Sequence, residues 1–255
     1  MKKRFRDLVR LCDRLRSPDG CPWDREQTLE TLKSYIIEEA YEVTDAIDSG
    51  DQEELIEELG DLLYQIVFAS QMCEEDGVFS INEVIDGLHN KLVRRHPHVF
   101  GDEKAKDAGE ALIRWHGQKL KEKSRTRGLL GIPRSMPSLL RAQRVGEKAS
   151  HVGFDWSSVN DVIDKVKEEL DELQLEIERG DRDLMLKEWG DLVFSLVNLA
   201  RHLRIDAEGT LHKATDVFIG RFNRIEEKTK ERDKTLSELS LKEMDELWEE
   251  VKKEG

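Results

Sequence analysis

Glu38-Glu39-Ala40-Tyr41-Glu42 is followed, after fifteen intervening residues, by Glu58-Leu59-Gly60-Asp61. The same two acidic stretches recur 130 residues later as Glu168-Glu169-Leu170-Asp171-Glu172 and Glu188-Trp189-Gly190-Asp191. Acids placed only for solubility have no reason to keep a common register, whereas a hard cation such as Mg²⁺ needs several oxygen ligands in a fixed geometry. The sequence therefore predicts two copies of one metal-binding unit.

The apolar residues around the later stretch of each copy repeat at the same offset, spaced for one face of a helix. They are Leu55, Ile56, Leu59, Leu62, Leu63, Ile66 and Val67, repeated as Met185, Leu186, Trp189, Leu192, Val193, Leu196 and Val197. Gly50-Asp51 also recurs, as Gly180-Asp181. Glycine can end one helix in a left-handed conformation and aspartate can cap the next. We therefore predict two helical hairpins, 28–48 with 51–75 and 158–178 with 181–204.

Two further helices are predicted in each half of the chain, at 78–95 and 104–123 and at 206–230 and 240–253. No run of residues alternates in the way a half-buried strand requires. The predicted fold class is all-α, with two tandem four-helix units that arose by internal duplication. Glycines and prolines between 124 and 137 place the boundary there. The predicted domains are 1–125 and 138–255, joined by a linker at 126–137.

The bulk composition limits the classes of partner. The net charge of −14 argues against a nucleic-acid-binding surface, which needs basic residues to neutralise phosphates. No apolar run approaches the roughly 20 residues of a membrane span, which predicts a protein with no membrane partner. Cys12, Cys21 and Cys73 are too few and too widely spaced for a disulfide framework, which is typical of reduced thiols in a cytoplasmic protein.

The acid spacing has a geometric meaning on a helix, because residues three or four apart lie on one face. Glu39 and Glu42 therefore point the same way, as do Glu58 and Asp61 on the next helix. An antiparallel turn at Gly50 sets the two pairs at similar height, so that four carboxylates converge on one groove. Such a cluster repels itself unless a cation neutralises it, and oxygen-only ligation favours Mg²⁺ or Mn²⁺ over zinc or iron.

The acidic stretches and three further motifs together resemble the MazG-type nucleoside triphosphate pyrophosphohydrolases, over essentially the whole chain. The further motifs are Cys21-Pro-Trp-Asp-Arg-Glu-Gln-Thr28, Arg94-Arg95-His96-Pro97-His98-Val99-Phe100-Gly101-Asp102 and Val152-Gly153-Phe154-Asp155-Trp156. The resemblance implies an all-α homodimer. It also implies Mg²⁺-dependent hydrolysis of NTPs and dNTPs, with broad base tolerance, to the monophosphates and pyrophosphate, as a house-cleaning activity on nucleotide pools.

The resemblance also assigns roles to individual residues. The implied metal ligands are Glu39, Glu42, Glu58 and Asp61 in the first half and Glu169, Glu172, Glu188 and Asp191 in the second. Glu38 and Glu168 are further ligands or general bases for the attacking water. The implied substrate-binding residues are Lys91, Arg94, Arg95, Lys119, Arg221 and Lys252 for phosphates, and Trp23, Trp115 and Trp248 for base stacking. Each tryptophan can instead be a helix-packing anchor.

The two halves are not equivalent in their cations. Aligning Arg95 with Arg221 places Val217 opposite Lys91 and Gly220 opposite Arg94. The second half therefore lacks two of three cations on that helix, with Lys213 or Arg224 as an alternative source of positive charge. We predict that both halves bind metal but differ in activity or nucleotide preference.

Two alternatives remain at this point. One is a narrower all-α pyrophosphohydrolase, dUTPase-like or acting on phosphoribosyl-ATP, which a substrate panel distinguishes. The other is a non-catalytic helical interaction module whose acids form a solvated face or bind a basic partner. That second alternative predicts no hydrolysis and no Mg²⁺-dependent thermal shift, and it leaves the shared register unexplained.

Overall fold

The computed structural model describes residues 4–123 and 131–254. All regular secondary structure in these two ranges is helical. The chain divides into two compact units, Met1–Gln118 and Lys119–Gly255. The all-α class and the tandem arrangement are therefore confirmed. The exact limits of the linker at 126–137 stay a prediction, because residues 124–130 lie outside the described part of the chain.

The first unit is built around a helical hairpin, α3 and α4, with α1 and α5 packed on α4 and short helices starting at Pro22 and Pro97. A proline is tolerated in the first turn of a helix because the amide there has no helical partner. The helices are α1 (Phe5–Arg16), α2 (Pro22–Glu26), α3 (Leu29–Ser49), α4 (Gln52–Glu75), α5 (Ile81–Arg95), α6 (Pro97–Phe100) and α7 (Ala108–Lys123).

The second unit repeats this plan around the hairpin of α9 and α10, with α8 packed on α10 and α12 packed on α11. The helices are α8 (Ser138–Ser150), α9 (Val159–Arg179), α10 (Arg182–His202), α11 (Ala207–Glu231), a 3₁₀ turn (Leu236–Glu238) and α12 (Leu241–Glu254). The eight helices predicted from the sequence are all present, within a few residues of the predicted limits.

In both hairpins the first helix ends and the second helix begins in the same way, as the repeated Gly-Asp pair predicts. Gly50 and Gly180 adopt left-handed backbone angles, with φ of 74° and 73°, which glycine reaches without steric cost. The side chains of Asp51 and Asp181 then each accept two backbone N–H groups at the start of the following helix. This common turn fixes the register of each pair of helices, and with it the height of the acidic residues.

The helices α1 and α8 were not assigned by the sequence analysis, and they complete the packing of each hairpin. In the first unit, Cys12 of α1 is fully buried in a core with Leu32, Phe68 and Met72. In the second, α8 approaches α10 closely at Gly146. A Cβ on Gly146 would lie 2.6 Å from Asn198 Oδ1, so any larger residue there would force the Asn198 side chain to move.

A separate core in the second unit joins α11 to α12 through Ile225, Leu239, Leu247 and Val251. Trp248 packs against this core at its edge. None of the helices in the described part of the chain is both long enough and apolar enough to cross a membrane.

Candidate metal centre

The first carboxylate cluster lies between α3 and α4. Glu39, Glu58 and Asp61 place carboxylate oxygens within 4.8 Å of one another. Glu42, one turn beyond Glu39, lies outside this group, although the charges of Glu58 and Glu39 act on it. The structure thus brings three of the four predicted ligands of the first half together, with Glu42 beside them. Glu38 is exposed and lies on the same helix, beside Glu39.

The electrostatics of this cluster disfavour full ionisation of two of its acids, Glu42 and Glu58. Desolvation, followed by the charges of Glu58 and Glu39, raises the pKa of Glu42 above its ordinary 4.5. Desolvation and the neighbouring charge of Asp61 raise the pKa of Glu58 in the same way. Close carboxylates favour proton uptake because their negative charges repel. A divalent cation would relieve the same repulsion.

One donor from the hairpin orients the cluster. The buried Gln65 of α4 donates from Nε2 to Glu39 Oε1 at 3.0 Å. A hydrogen bond of this kind, behind a ligand, fixes the ligand's orientation and tunes its affinity for metal. Gln65 was not among the residues predicted from the sequence. Its position four residues after Asp61 nevertheless puts Asp61 and Gln65 on one helical face.

The second cluster lies between α9 and α10 and is more buried. Glu169, Glu172 and Glu188 place oxygens within 4.8 Å of one another, and Glu169 and Glu188 are only 5% and 7% exposed. Glu169 Oε2 and Glu188 Oε2 are both buried without a hydrogen-bond partner, as is Glu176 Oε2 further along α9. Asp191 lies outside the 4.8 Å group, and Glu168 is exposed.

Two lysines not identified by the sequence analysis pair with the second cluster. Lys165 Nζ lies 2.8 Å from both Glu168 Oε1 and Glu169 Oε1. Lys187 Nζ lies 2.8 Å from Glu188 Oε1 and 3.3 Å from Asp191 Oδ2. These hydrogen bonds raise the pKa of both lysines, which stay protonated. The positions 130 residues earlier hold Tyr35 and Glu57, so comparing the two copies could have found this difference.

The donors of both clusters suit a hard divalent cation. They are all carboxylate oxygens, the ligand type preferred by Mg²⁺ and Mn²⁺. In the second cluster Glu169 and Glu188 each have a buried carboxylate oxygen without a partner, which is costly for the folded state unless a cation binds there. A cation bound between Glu169, Glu172 and Glu188 would satisfy both atoms. The residues present therefore fit a divalent metal ion.

Comparison with known proteins bears on the same two hairpins. A family model described as the MazG nucleotide pyrophosphohydrolase domain matches the chain twice, at residues 27–100 and 157–237. Each match contains one complete acidic cluster. The chain belongs to the MazG family. Membership places it among hydrolases that act on phosphoric anhydride bonds.

The similarity to individual MazG relatives extends over the whole tandem. The chain is 44% identical over 253 residues to a nucleoside triphosphate pyrophosphohydrolase of Escherichia coli K12, covering 97% of this chain and 96% of that protein. It is also 44% identical over 250 residues to the nucleoside triphosphate pyrophosphohydrolase/pyrophosphatase MazG of Thermotoga maritima, covering 97% and 95% respectively. The match therefore includes both MazG units and the segment that joins them.

The predicted phosphate-binding arginines and their tryptophans form one stacked pair in each MazG unit. The Arg95 guanidinium lies 5.4 Å from the centre of the Trp115 ring, and that of Arg221 lies 5.9 Å from the centre of the Trp248 ring. Arg95 is buried, and Trp248 also packs against Phe218 at 5.0 Å. The packing role left open for the tryptophans thus holds for Trp248. In both units the guanidinium cation of the arginine lies over the face of the tryptophan ring.

The other predicted substrate residues differ in their surroundings. Trp23 is 54% exposed and touches Tyr35 edge-on, with ring centres 6.0 Å apart. Tyr35 is four residues before Glu39 on α3, so this aromatic pair borders the first cluster. Lys91 is half-buried and Arg94 is exposed on α5, and Lys252 pairs with Glu249 at 3.5 Å. The side chain of Lys119 lies outside the described residues.

The motif aspartates, to which the sequence analysis gave no role, serve as structural anchors. Asp155 accepts hydrogen bonds from Arg201 and from His202 of α10, and the Arg201 bonds lower its pKa to about 2. In the first MazG unit, Asp24 of α2 is buried near Tyr64 of α4, and burial followed by the charge of Asp24 raises the pKa of Tyr64. Each aspartate lies where the segment before the hairpin meets the hairpin's second helix.

Proposed function

We propose that the protein is a Mg²⁺-dependent nucleoside triphosphate pyrophosphohydrolase that converts NTPs and dNTPs to the monophosphates and pyrophosphate. The observation that carries this proposal is the pair of carboxylate clusters at the same position in two MazG matches. The names of the relatives from Escherichia coli and Thermotoga maritima support it. Mn²⁺ is a possible substitute, because it prefers the same ligands.

The residues of the first cluster have distinct roles in this proposal. The cation would be held by Glu39, Glu42, Glu58 and Asp61, and it would supply positive charge against the triphosphate oxygens and lower the pKa of a water molecule. The exposed carboxylate of Glu38 accepts the proton of the water that attacks the α-phosphorus. Gln65 keeps Glu39 in position. Arg94 and Lys91, on the adjoining helix α5, bind phosphate oxygens as charge-assisted donors.

The second cluster is proposed to act in the same way, with Glu168 in the place of Glu38. Glu168 Oε1 already accepts a hydrogen bond from Lys165, which occupies part of its accepting capacity. Glu169, Glu172, Glu188 and Asp191 are the proposed ligands. Arg221 and Lys252 are the proposed phosphate-binding cations. The units would act as domains 1–125 and 138–255, with 126–137 between them.

Broad base tolerance, a homodimer and a cytoplasmic location complete the proposal. Trp23 offers an exposed aromatic face beside the first cluster, and stacking on such a face accepts any base. The hairpin of α3 and α4 exposes apolar side chains suited to a second copy of the chain. These are Ile36, Ile37, Tyr41, Ile56, Leu59, Leu63 and Ile66. Cys12, Cys21 and Cys73 are free thiols, in keeping with a reducing compartment.

Hydrolysis of the eight common NTPs and dNTPs, with and without Mg²⁺, tests the proposed function. We expect pyrophosphate and the monophosphate as equimolar products, with Mg²⁺ required and little dependence on the base. Hydrolysis of one nucleotide only would favour the narrower enzyme. Release of phosphate instead of pyrophosphate would contradict the reaction.

A further inference from the structure

The two clusters differ in charge at one matched position. Glu57, beside Glu58 in the first unit, corresponds to Lys187, beside Glu188 in the second. The helices α4 and α10 both start after a matching aspartate cap, so the two side chains leave equivalent points of the hairpin. The repeat therefore carries a reversal of charge next to a ligand that both units keep.

Lys187 binds oxygens that a metal would also need. Its Nζ bridges Glu188 Oε1 at 2.8 Å and Asp191 Oδ2 at 3.3 Å. On the other helix, Lys165 holds Glu169 Oε1. What remains for a metal ion is the unpartnered Oε2 atoms of Glu169 and Glu188, together with Glu172. The ammonium group of Lys187 thus pairs with two carboxylates. The corresponding carboxylates of the first unit, Glu58 and Asp61, form no ion pair with the described residues.

The first cluster has no such competitor among the described residues. The position of Lys165 is taken there by Tyr35, and no lysine or arginine in the described ranges forms an ion pair with the five carboxylates of that cluster. Glu57 instead adds negative charge and helps to raise the pKa of Glu58. The formal charge of the five carboxylates is −5, whereas the two lysines reduce that of the second cluster to −3.

We propose that Lys187 competes with a divalent metal ion for the carboxylates of the second cluster, so that the second MazG unit binds metal more weakly than the first. This inference rests on the proposed function only in that both place metal at the two clusters. It identifies Lys187, which stands where the first unit has a glutamate, as one source of the difference.

The expected size of the effect follows from the exposure of the lysine. The Lys187 side chain is 62% exposed, so it can leave the cluster and return to water when metal binds. Pairs this exposed contribute little, which makes the competition modest. Replacing Lys187 with glutamate removes the competitor and adds a carboxylate. We expect this change to tighten Mn²⁺ binding at the second cluster about threefold to tenfold.

Calorimetric titration of the full chain with Mn²⁺, without nucleotide, tests this inference. A background with Glu39→Gln and Glu58→Gln silences the first cluster, so that the heat reports the second. Lys187→Glu is compared in this background with Lys242→Glu. Lys242 lies on α12, pairs with Glu246 and is 86% exposed, so its replacement makes the same charge change on a helix that carries none of the cluster's carboxylates. The reciprocal variant, Glu57→Lys with the second cluster silenced by Glu169→Gln and Glu188→Gln, should weaken Mn²⁺ binding.

The outcomes separate this inference from the proposed function. Tighter binding in Lys187→Glu and little change in Lys242→Glu support the competition. Equal effects of the two variants, or no effect of either, overturn it. If Lys187→Glu melts too early to titrate, Lys187→Gln takes its place, with a smaller tightening expected and the same overturning result. Failure of the wild-type chain to release pyrophosphate, while Mn²⁺ still binds, would overturn the proposed function and leave the competition intact.

Discussion

Gln65 donates a hydrogen bond to Glu39 across the first hairpin, with its Nε2 3.0 Å from Glu39 Oε1. Gln65 is buried and fixed by the packing of α4, whereas Glu39 is half-buried at the edge of the groove. The bond therefore holds the side chain of Glu39, a proposed metal ligand, in position against the core. Replacing Gln65 with leucine keeps an apolar body of similar size and removes this donor.

We expect Gln65→Leu to weaken Mn²⁺ binding at the first cluster by about tenfold, because loss of a partner behind a ligand typically costs 10–100-fold in metal affinity. Calorimetric titration in the Glu169→Gln, Glu188→Gln background measures this. Gln71→Leu is the matched control, since Gln71 is also buried on α4 but contacts Glu75, away from the cluster. An equal loss in both variants would mean that the effect is a general disturbance of α4.

Neutralising one acid of the first cluster should stabilise the metal-free protein. In the folded state the pKa of Glu58 lies above its ordinary value of 4.5. Between pH 4.5 and that raised pKa, the folded protein therefore binds more protons than the unfolded chain. The contribution of Glu58 to stability is therefore favourable below that window and is lost as the pH rises through it. Glu58→Gln removes this penalty. In EDTA, we expect the variant to melt above the wild type at neutral pH, with the gap closing toward about pH 4.

The same variant should lose its response to metal at the first cluster. We expect Mg²⁺ to stabilise the folded wild type, because a ligand that binds the folded carboxylates and not the unfolded chain shifts the equilibrium toward the folded state. Thermal melts with added Mg²⁺ measure this, and the second cluster is silenced in both proteins for the comparison. A melting temperature that rises equally in wild type and Glu58→Gln would exclude Glu58 as a ligand.

Asp155 has the opposite dependence on pH. Its bonds to Arg201 and His202 lower its pKa from 3.8 to about 2. The stability it contributes is complete above pH 3.8 and is lost as the pH falls toward its folded pKa. We expect Asp155→Asn to cost about 1–2 kcal/mol near neutral pH. Urea unfolding at several pH values measures the cost, which should shrink below pH 4; Asp164→Asn, at an exposed pair, is the control with a cost near zero.

The two halves should contribute unequally to turnover. Lys91 and Arg94 have no counterparts in the second unit, and Lys187 opposes metal binding there. We therefore expect Glu42→Gln to lower pyrophosphate release more than Glu172→Gln, when each is assayed alone at limiting Mg²⁺. Equal losses from the two variants would contradict the asymmetry.

The hairpins were predictable because their signals are local and occur twice. Gly50 and Asp51 dictate a turn by their own backbone and capping preferences, and their repeat at Gly180 and Asp181 removes the ambiguity of a single instance. The acids of each cluster followed from helix periodicity applied on either side of that turn.

What the sequence did not reveal depends on contacts between distant positions. The role of α1 rests on Cys12 meeting α3 and α4, which no local pattern encodes. Arg201 and Asp155 are 46 residues apart, and the motif around Asp155 gives no local sign that Arg201 is its partner. Lys187 was not predicted for another reason. The site residues were predicted from positions that the two copies share, whereas Lys187 stands at a position where the copies differ.

Pyrophosphate release by a chain with both clusters neutralised tests the central claim most directly. Glu39→Gln and Glu58→Gln are combined with Glu169→Gln and Glu188→Gln, and Glu226→Gln with Glu246→Gln, at exposed positions on α11 and α12, serves as the control. With Mg²⁺ and a nucleoside triphosphate, we expect the control to match the wild type and the cluster variant to fall by about 100-fold or more. Pyrophosphate release at the wild-type rate from a folded cluster variant would contradict the account.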